Sequence, residues 1–431
     1  MQKPSYLNIV IVVIILILCS NNTVISQTFR QTQKDSYTRY ELLDPESNSF
    51  RIYYDVSATT AGANYYFNSI RQGSEAIVHG VSDLMSGVNL KWDVVDGATA
   101  KSSGHETANP ERHYIRIKLP RPVPEGGEVR LRIDKTYKDK KSYYIDNNNS
   151  IVFSRSLGIK RNSVVLPSGY ELITCNYPAQ VRTESDGRIR ISFMNRGPAS
   201  VPFTVSARLL PRRINKVSEV QHETRQESAT NISQTRSVAS SARLDYTFSE
   251  RAFQDREIVY FLKQPESHSF FLYHDYTESR QGVDKYLNIV RKGSKASEPS
   301  AFILDTGQEL KVEKYTGKQI KEQGIEIGRE VDPETEVVII WFDPVKKGQS
   351  VRLRISETYT DPNRYLLLGD ELIWDRSFGR PRNSVILPEG WYVTTNSIPA
   401  IISETDDGKI RLYYVNDRPG NIDVLIKAKR R

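Results

Sequence analysis

The chain is poor in residues that carry covalent or metal chemistry. Of its 431 residues, two are cysteine, six histidine and three methionine. No Cys-x-x-Cys or His-Glu-x-x-His pattern occurs, which excludes zinc at its familiar spacings. Gly-x-Ser-x-Gly, Gly-x-Gly-x-x-Gly and phosphate-loop patterns are missing as well. Nothing therefore announces a nucleophile elbow or a dinucleotide or nucleotide cofactor, and no cofactor is expected. The 24 Gly and 20 Pro are near average usage, so collagen and broad low complexity are excluded. The 24 Tyr, 14 Phe and four Trp exclude a wholly disordered chain.

Long apolar runs are also absent. The longest, Ile9 to Leu18, has ten residues, short of the roughly 18–20 a spanning helix needs. Lys3 precedes it, the polar Ser20-Asn21-Asn22-Thr23 follows, and Val24-Ile25-Ser26 suits cleavage before Gln27. This is the pattern of a cleavable secretory signal over residues 1–26, so the protein is expected to be secreted or periplasmic, with no stable membrane span after its removal. Leu18 before Cys19 departs from the small residue of a lipoprotein signal. Removing the signal leaves Cys175 alone, so no intramolecular disulfide can form and the cores must rest on packing.

What the sequence does contain is itself, twice. Pro45-Glu46-Ser47-Asn48-Ser49-Phe50 returns as Pro265-Glu266-Ser267-His268-Ser269-Phe270. The same offset of 220 carries Gly62, Tyr66, Asn68, Arg71 and Gly73 onto Gly282, Tyr286, Asn288, Arg291 and Gly293. From Arg155 to Pro198 against Arg376 to Pro419, 19 of 44 positions are identical, too many for chance. A period this long marks a duplicated domain, not a solenoid unit. Copy one is read as 37–210 and copy two as 245–431. The tail 27–36 is polar, and 211–244, rich in Ser, Gln, Arg, Glu and Thr, is read as a linker that cannot repay its ordering entropy by burial.

Within each copy the apolar period is two. Phe50, Ile52 and Tyr54 share one strand face, matched by Phe270, Leu272 and His274. Asp186-Gly187 and Asp407-Gly408 stand between alternating runs as tight hairpin turns. Val129 to Ile133, Val201 to Ala207 and Ile422 to Ala428 are further strands, and a short helical turn is expected near Gly73 to Ser82. The expected fold is all-β: two tandem homologous antiparallel β-sandwich domains, eight to ten strands each, joined by a polar linker. The last predicted strand runs nearly to Arg431, which assigns any function to the sandwiches, their junction or the linker.

The densest shared block holds the binding candidates: Arg155, Arg161 and Tyr170 in copy one, Arg376, Arg382 and Trp391 in copy two. Arginine offers a planar fork to carboxylate, phosphate or sulfate, and Tyr170 or Trp391 a ring to stack on a sugar. Arg71 and Arg291 are further candidates. Recurrence in both copies favours the plainer reading, arginines that hold loops through acidic partners. Trp92, Trp341 and Trp374 face large apolar residues of the other copy and read as core. Asp55 and Asp275 are acidic in both copies and read as strand-end caps. Asp146 to Ser150 only faintly resembles a calcium loop, since Ile151 stands where glycine is needed. No metal site and no catalytic residue is assigned.

The formal net charge is +8, from 60 basic and 52 acidic residues. That mixture lacks the basic stripe of a nucleic-acid binder, and export argues against one too. The leading expectation is an exported, non-catalytic protein that binds a cell-envelope or extracellular partner: a glycan, an acidic polymer or a protein. The rivals are a secreted hydrolase with a site between the copies, where His222, His268 and His274 would meet, and an envelope component that assembles through sheet edges.

Overall fold

The computed structural model describes residues 36–211, 257–328, 330–417 and 420–431. The signal segment, nearly all of the tail and linker, and residues 245–256 lie outside the described residues. The protein is all-β. Copy one contributes β1 (Tyr37–Leu42), β2 (Ser49–Ala58), β3 (Tyr65–Ser69), β4 (Glu75–Asp83), β5 (Trp92–Asp96), β6 (His113–Lys118), β7 (Val129–Lys138), β8 (Tyr143–Ile145), β9 (Ile151–Leu157), β10 (Arg161–Val165), β11 (Tyr170–Thr183), β12 (Ile189–Met194) and β13 (Val201–Leu209), with a helix α1 (Gly97–Ser102) between β5 and β6. Copy two repeats that order with β14 (Glu257–Leu262), β15 (Ser269–Glu278), β16 (Lys285–Ile289), β17 (Lys295–Ile303), β18 (Lys311–Thr316), β19 (Glu336–Trp341), β20 (Val351–Thr360), β21 (Tyr365–Leu368), β22 (Glu371–Phe378), β23 (Arg382–Ile386), β24 (Trp391–Glu404), β25 (Ile410–Val415) and β26 (Ile422–Arg430), with α2 (Lys318–Glu322) between β18 and β19.

Every strand pairing of copy one has its counterpart in copy two. The run β4-β7-β2-β1-β10-β12-β11-β13-β9-β8 matches β17-β20-β15-β14-β23-β25-β24-β26-β22-β21. The three-stranded sheet β3-β6-β5 likewise matches β16-β19-β18. Three expectations change here. Each described copy has thirteen strands, because five-residue strands such as Tyr65–Ser69 and Trp92–Asp96 are too short to show a period amid Gly and Pro. The sheet is not wholly antiparallel: β1 runs parallel to β10, and β14 to β23. Residues 75–83, which overlap most of the expected helical turn, form β4 paired to β7. The helix lies instead at α1, where the Asp96 side chain accepts from Thr99 N at 2.7 Å. Its first residue must be glycine, since a Cβ on Gly97 would stand 2.0 Å from the Asn109 carbonyl oxygen.

The alternation seen in the sequence sorts side chains as expected. Phe50, Ile52, Phe270 and Leu272 are buried, and so is His274. Both Asp-Gly turns form, with Gly187 and Gly408 at positive φ. The main apolar cluster draws residues from both copies. In copy one a smaller cluster fills the space between β2, β4 and β7 on one side and Ile115 and Ile117 of β6 on the other.

The copies meet along β11 and β24, which pair antiparallel: Cys175 with Ile402, Ala179 with Ala400, and Val181 with Asn396. Gln180 Nε2 donates to the Ser397 carbonyl at 2.6 Å and Thr183 Oγ1 to that of Thr394 at 3.1 Å. Beside this seam Glu171, fully buried, accepts from Arg208 of its own copy at 2.9 Å and from Arg431 of the other at 2.8 Å. Among the described residues no helix is long and apolar enough to cross a membrane.

Candidate functional site

The arginines marked by the sequence divide into two kinds. Arg155 on β9 is buried and pairs with Asp139 at 3.1 Å, while its equivalent Arg376 on β22 pairs with Asp361 at 2.9 Å. In both copies a serine before the β4 or β17 strand completes the knot, Ser74 to Asp139 at 3.0 Å and Ser294 to Asp361 at 2.9 Å. Burial pushes the Asp139 carboxyl up, but bonds from Ser142 and Ser74 and the Arg155 charge outweigh it and hold the group below its ordinary range. These pairs tie β9 and β22 to the β7 and β20 ends, a structural duty that occurs twice. Arg161 is exposed at the start of β10, with its guanidinium 6.0 Å from the Tyr37 ring. Arg382 is half-buried at the start of β23. Arg291 donates to the Ser377 carbonyl at 3.4 Å, and burial lowers its pKa.

The aromatic candidates also separate. Trp391 is buried and donates to Gln264 at 2.9 Å, whereas Tyr170 is half-buried. Trp374 is fully buried, but Trp92 is 37% exposed on the edge strand β5, so the core reading fails for Trp92. Asp55 and Asp275 do not cap backbone amides. They form cross-strand ion pairs with Arg132 and Arg354, at 2.7 and 2.8 Å. Asp146 accepts from the amides of Asn148 and Ser150 at 2.9 Å, which makes its loop a turn between β8 and β9.

The histidines of the hydrolase reading stand apart in role. His268 lies 2.8 Å from the Tyr365 carbonyl, and His274 packs edge-on to the Tyr286 ring at 5.4 Å. His222 lies outside the described residues. Cys175 is buried, with its thiol pushed up to about 12 by desolvation.

One place gathers charge with space beside it. In copy one a cleft of about 260 Å³ is bounded by residues of β1, β2, β3, β7 and β9, lined by Tyr40, Tyr54, Asn68, Arg71, Lys135 and Arg155 among others. Lys135 is the residue that sequence reasoning missed. It lies on β7, facing inward between Ile133 and Tyr137, and is 4% exposed. Its ammonium donates to Asn68 Oδ1 at 2.5 Å and to the Tyr137 hydroxyl at 3.2 Å, both neutral groups. Desolvation, with the nearby Arg155 charge, pulls its pKa down to about 7. Two guanidinium groups and a buried amine thus face one cleft, and Asp139 is the carboxylate paired with Arg155.

Copy two answers the same position with the opposite sign. Glu357 on β20 replaces Lys135, fully buried, and Asn288 turns its amide round to donate to Glu357 Oε1 at 2.5 Å. Burial raises that carboxyl to about 7, against the bonds from Asn288 and Tyr359. Ile159, at the copy-one cleft, is replaced by Arg380, whose guanidinium reaches across to the Tyr286 hydroxyl at 3.1 Å. The one clue in the sequence was this Lys-to-Glu exchange at an inward position of otherwise matching strands, Val129 to Tyr137 and Val351 to Tyr359.

No protein-family model and no curated protein matches the chain. Among solved structures it is similar to an M1 zinc metallopeptidase from Deinococcus radiodurans, at 10% identity and a TM-score of 0.25 over 40% of this chain and 41% of that one. A putative protease from Parabacteroides distasonis gives 15% identity and a TM-score of 0.25 over 40% and 39%. The C-terminal domain of an antigen I/II-family protein from Streptococcus pyogenes gives 8% and 0.17 over 90% and 94%. The chain thus spans about two fifths of the metallopeptidase and putative-protease chains. Likenesses this weak assign neither a fold family nor an activity.

Proposed function

We propose that the protein is an exported, non-catalytic binding protein, and that the copy-one cleft receives an acidic group of an envelope or extracellular partner. The observation that carries this reading is Lys135, a buried amine held only by neutral acceptors beside Arg155 and Arg71. A buried cation without a full counterion is costly, and an incoming carboxylate, sulfate or phosphate would relieve that cost. Arginine adds a planar fork for the same group. Copy two, with glutamate at the equivalent place, supports a division of labour between the duplicates. The N-terminal pattern of Lys3, the apolar run and the polar cleavage region supports export.

The test is calorimetric titration of the mature chain with tri-galacturonate, poly-glutamate and neutral dextran. Binding of at least one acidic probe and not of dextran is expected, and Lys135→Gln should weaken it by about tenfold or more. Affinity should fall above pH 7 as Lys135 gives up its proton. Failure of both acidic probes to bind, or a hydrolytic turnover lost with a single substitution, would overturn the reading.

A further inference from the structure

Next to the cleft, further along β2 and β3, lies a larger groove of about 480 Å³. We propose that it is a second binding site, for an uncharged saccharide. The cleft takes Asn68 and Ser69 from β3, whereas the groove takes Asn64 to Phe67, and Tyr54 lines the one and Tyr66 the other where the two adjoin. The chemistry of the two is different. No Asp, Glu, Lys or Arg lines the groove; its walls carry the hydroxyls of Ser57, Thr60 and Ser103, the Asn64 amide, and the rings of Tyr65 and His105.

The rings form a cluster at one end of the groove, where Phe67 also packs against the buried Val95, Ala100, Ala108 and Tyr114 and Tyr65 stands tilted at 45° to it. Phe67 and His105 stack at 5.3 Å with 19° between their planes, and Tyr65 follows at 6.4 Å from Phe67. Arg116 sits 5.5 Å from the Tyr65 ring and bridges to Asp93 at 2.5 Å, so that ring is braced from one side. Tyr65 is 36% exposed. A saccharide presents weakly polar C–H faces and many hydroxyls. Rings suit the first, and neutral donors and acceptors the second. A purely apolar ligand would leave the hydroxyl and amide groups desolvated without partners. A charged ligand would find no charged residue in the walls themselves, and the adjoining Arg116, which donates to Ser103 Oγ at 2.9 Å, is already paired with Asp93.

Copy two carries different residues at the places that line this groove. At equivalent places Ala58 becomes Glu278 and Thr60 becomes Arg280, and these two form a bidentate ion pair, Nε to Oε1 at 2.9 Å and a second nitrogen to Oε2 at 2.6 Å. Glu278 is 2% exposed, so the space at its position is filled. Tyr65, Phe67 and His105 become Lys285, Leu287 and Ile325, and the last two pack into an aliphatic cluster. The equivalent strands therefore tolerate an ion-paired version, with Glu278 buried and the Arg280 side chain largely exposed. The small and aromatic residues that line the copy-one groove are thus not ones that the fold itself demands.

The experiment titrates the mature chain, by calorimetry and by saturation-transfer NMR, with maltopentaose, cellopentaose and N-acetylated chitopentaose. None of these carries a charge, so the outcome is independent of the acidic-group reading of the cleft. At least one should bind and receive saturation on its ring protons. The double variant Ala58→Glu/Thr60→Arg, which copies Glu278 and Arg280, should weaken binding by about tenfold or more. Tyr65→Ala, at an exposed position where folding is not at stake, should weaken it as well. Absence of binding by all three sugars would overturn the proposal. So would undiminished binding by the Tyr65 variant, whatever the fate of the double variant.

Discussion

Ala179 pairs with Ala400, and under the offset of 221 that relates this part of the repeat Ala400 is its own counterpart. The flanking pairs obey the same relation, since Cys175 with Ile402 maps onto Val181 with Asn396. The seam therefore has the self-complementary register of a two-fold homodimer, built within one chain. Both alanines are fully buried in the cluster the two copies share.

The shared seam and core lead us to expect one unfolding transition. Ala179→Leu would overpack the axis, where every intruding atom meets its near-symmetric partner, at a cost of about 1–3 kcal/mol. Urea denaturation should show a single transition moved to lower denaturant. Two transitions, with only one of them displaced, would contradict a common core.

Stability should pass through a minimum near neutral pH on account of two residues. Lys135 titrates at about 7 when folded and near 10.4 when unfolded. Between those values only the unfolded chain holds the proton, so stability rises with pH, and below 7 the full penalty is present. Glu357 titrates at about 7 when folded and near 4.3 when unfolded. Its contribution is complete below pH 4 and is lost as pH climbs to 7. The Glu357→Gln variant should gain on the order of 3 kcal/mol relative to wild type between pH 4 and 8, at about 1.4 kcal/mol per pKa unit. Lys135→Met should flatten the alkaline limb. Thermal melts from pH 4 to 10 read both, and a parallel profile for either variant would refute its part.

The two buried arginine pairs should behave alike. Arg376→Met leaves Asp361 buried without its guanidinium partner at 2.9 Å and should cost about 3–5 kcal/mol. Adding Asp361→Asn should recover part of that loss, because the stranded charge is removed. Arg155→Met should be as damaging through Asp139. A change under 1 kcal/mol in either variant would mean the pair is not the tie that joins these strands.

Cys175 should be inert in the native protein. Its thiol is fully buried, donates to the Tyr177 carbonyl at 3.1 Å and is pushed up to about 12. Reactivity follows the exposed thiolate. A chromogenic disulfide reagent at pH 8 should therefore label it only after unfolding in denaturant. Labelling of the native chain within minutes would show that the seam opens.

The repeat, the period of two and the Asp-Gly turns were legible in the residues because each is a local pattern. They determined that the chain is built of strands and where most of them lie. Recurrence favoured a structural role for Arg155 and Arg376, but a lone sequence does not say which acid each meets. Asp139 and Asp361 stand 16 and 15 residues away from them, across a strand turn. Trp92 looked like core because its counterpart Val312 is apolar, yet it lies on β5, which among the described residues pairs with β6 alone.

What only the tertiary structure decided is where non-neighbours converge. Lys135 and Glu357 each read as one polar residue in an alternating strand. Their weight comes from Asn68, Asn288 and the surrounding aromatic rings, brought over them by strands distant in sequence. The opening of the copy-one groove, and the ion pair of Glu278 with Arg280 at the matching place in copy two, likewise depend on side chains brought together in three dimensions. Local propensity is a property of neighbours along the chain, whereas desolvation and vacancy belong to the packed whole.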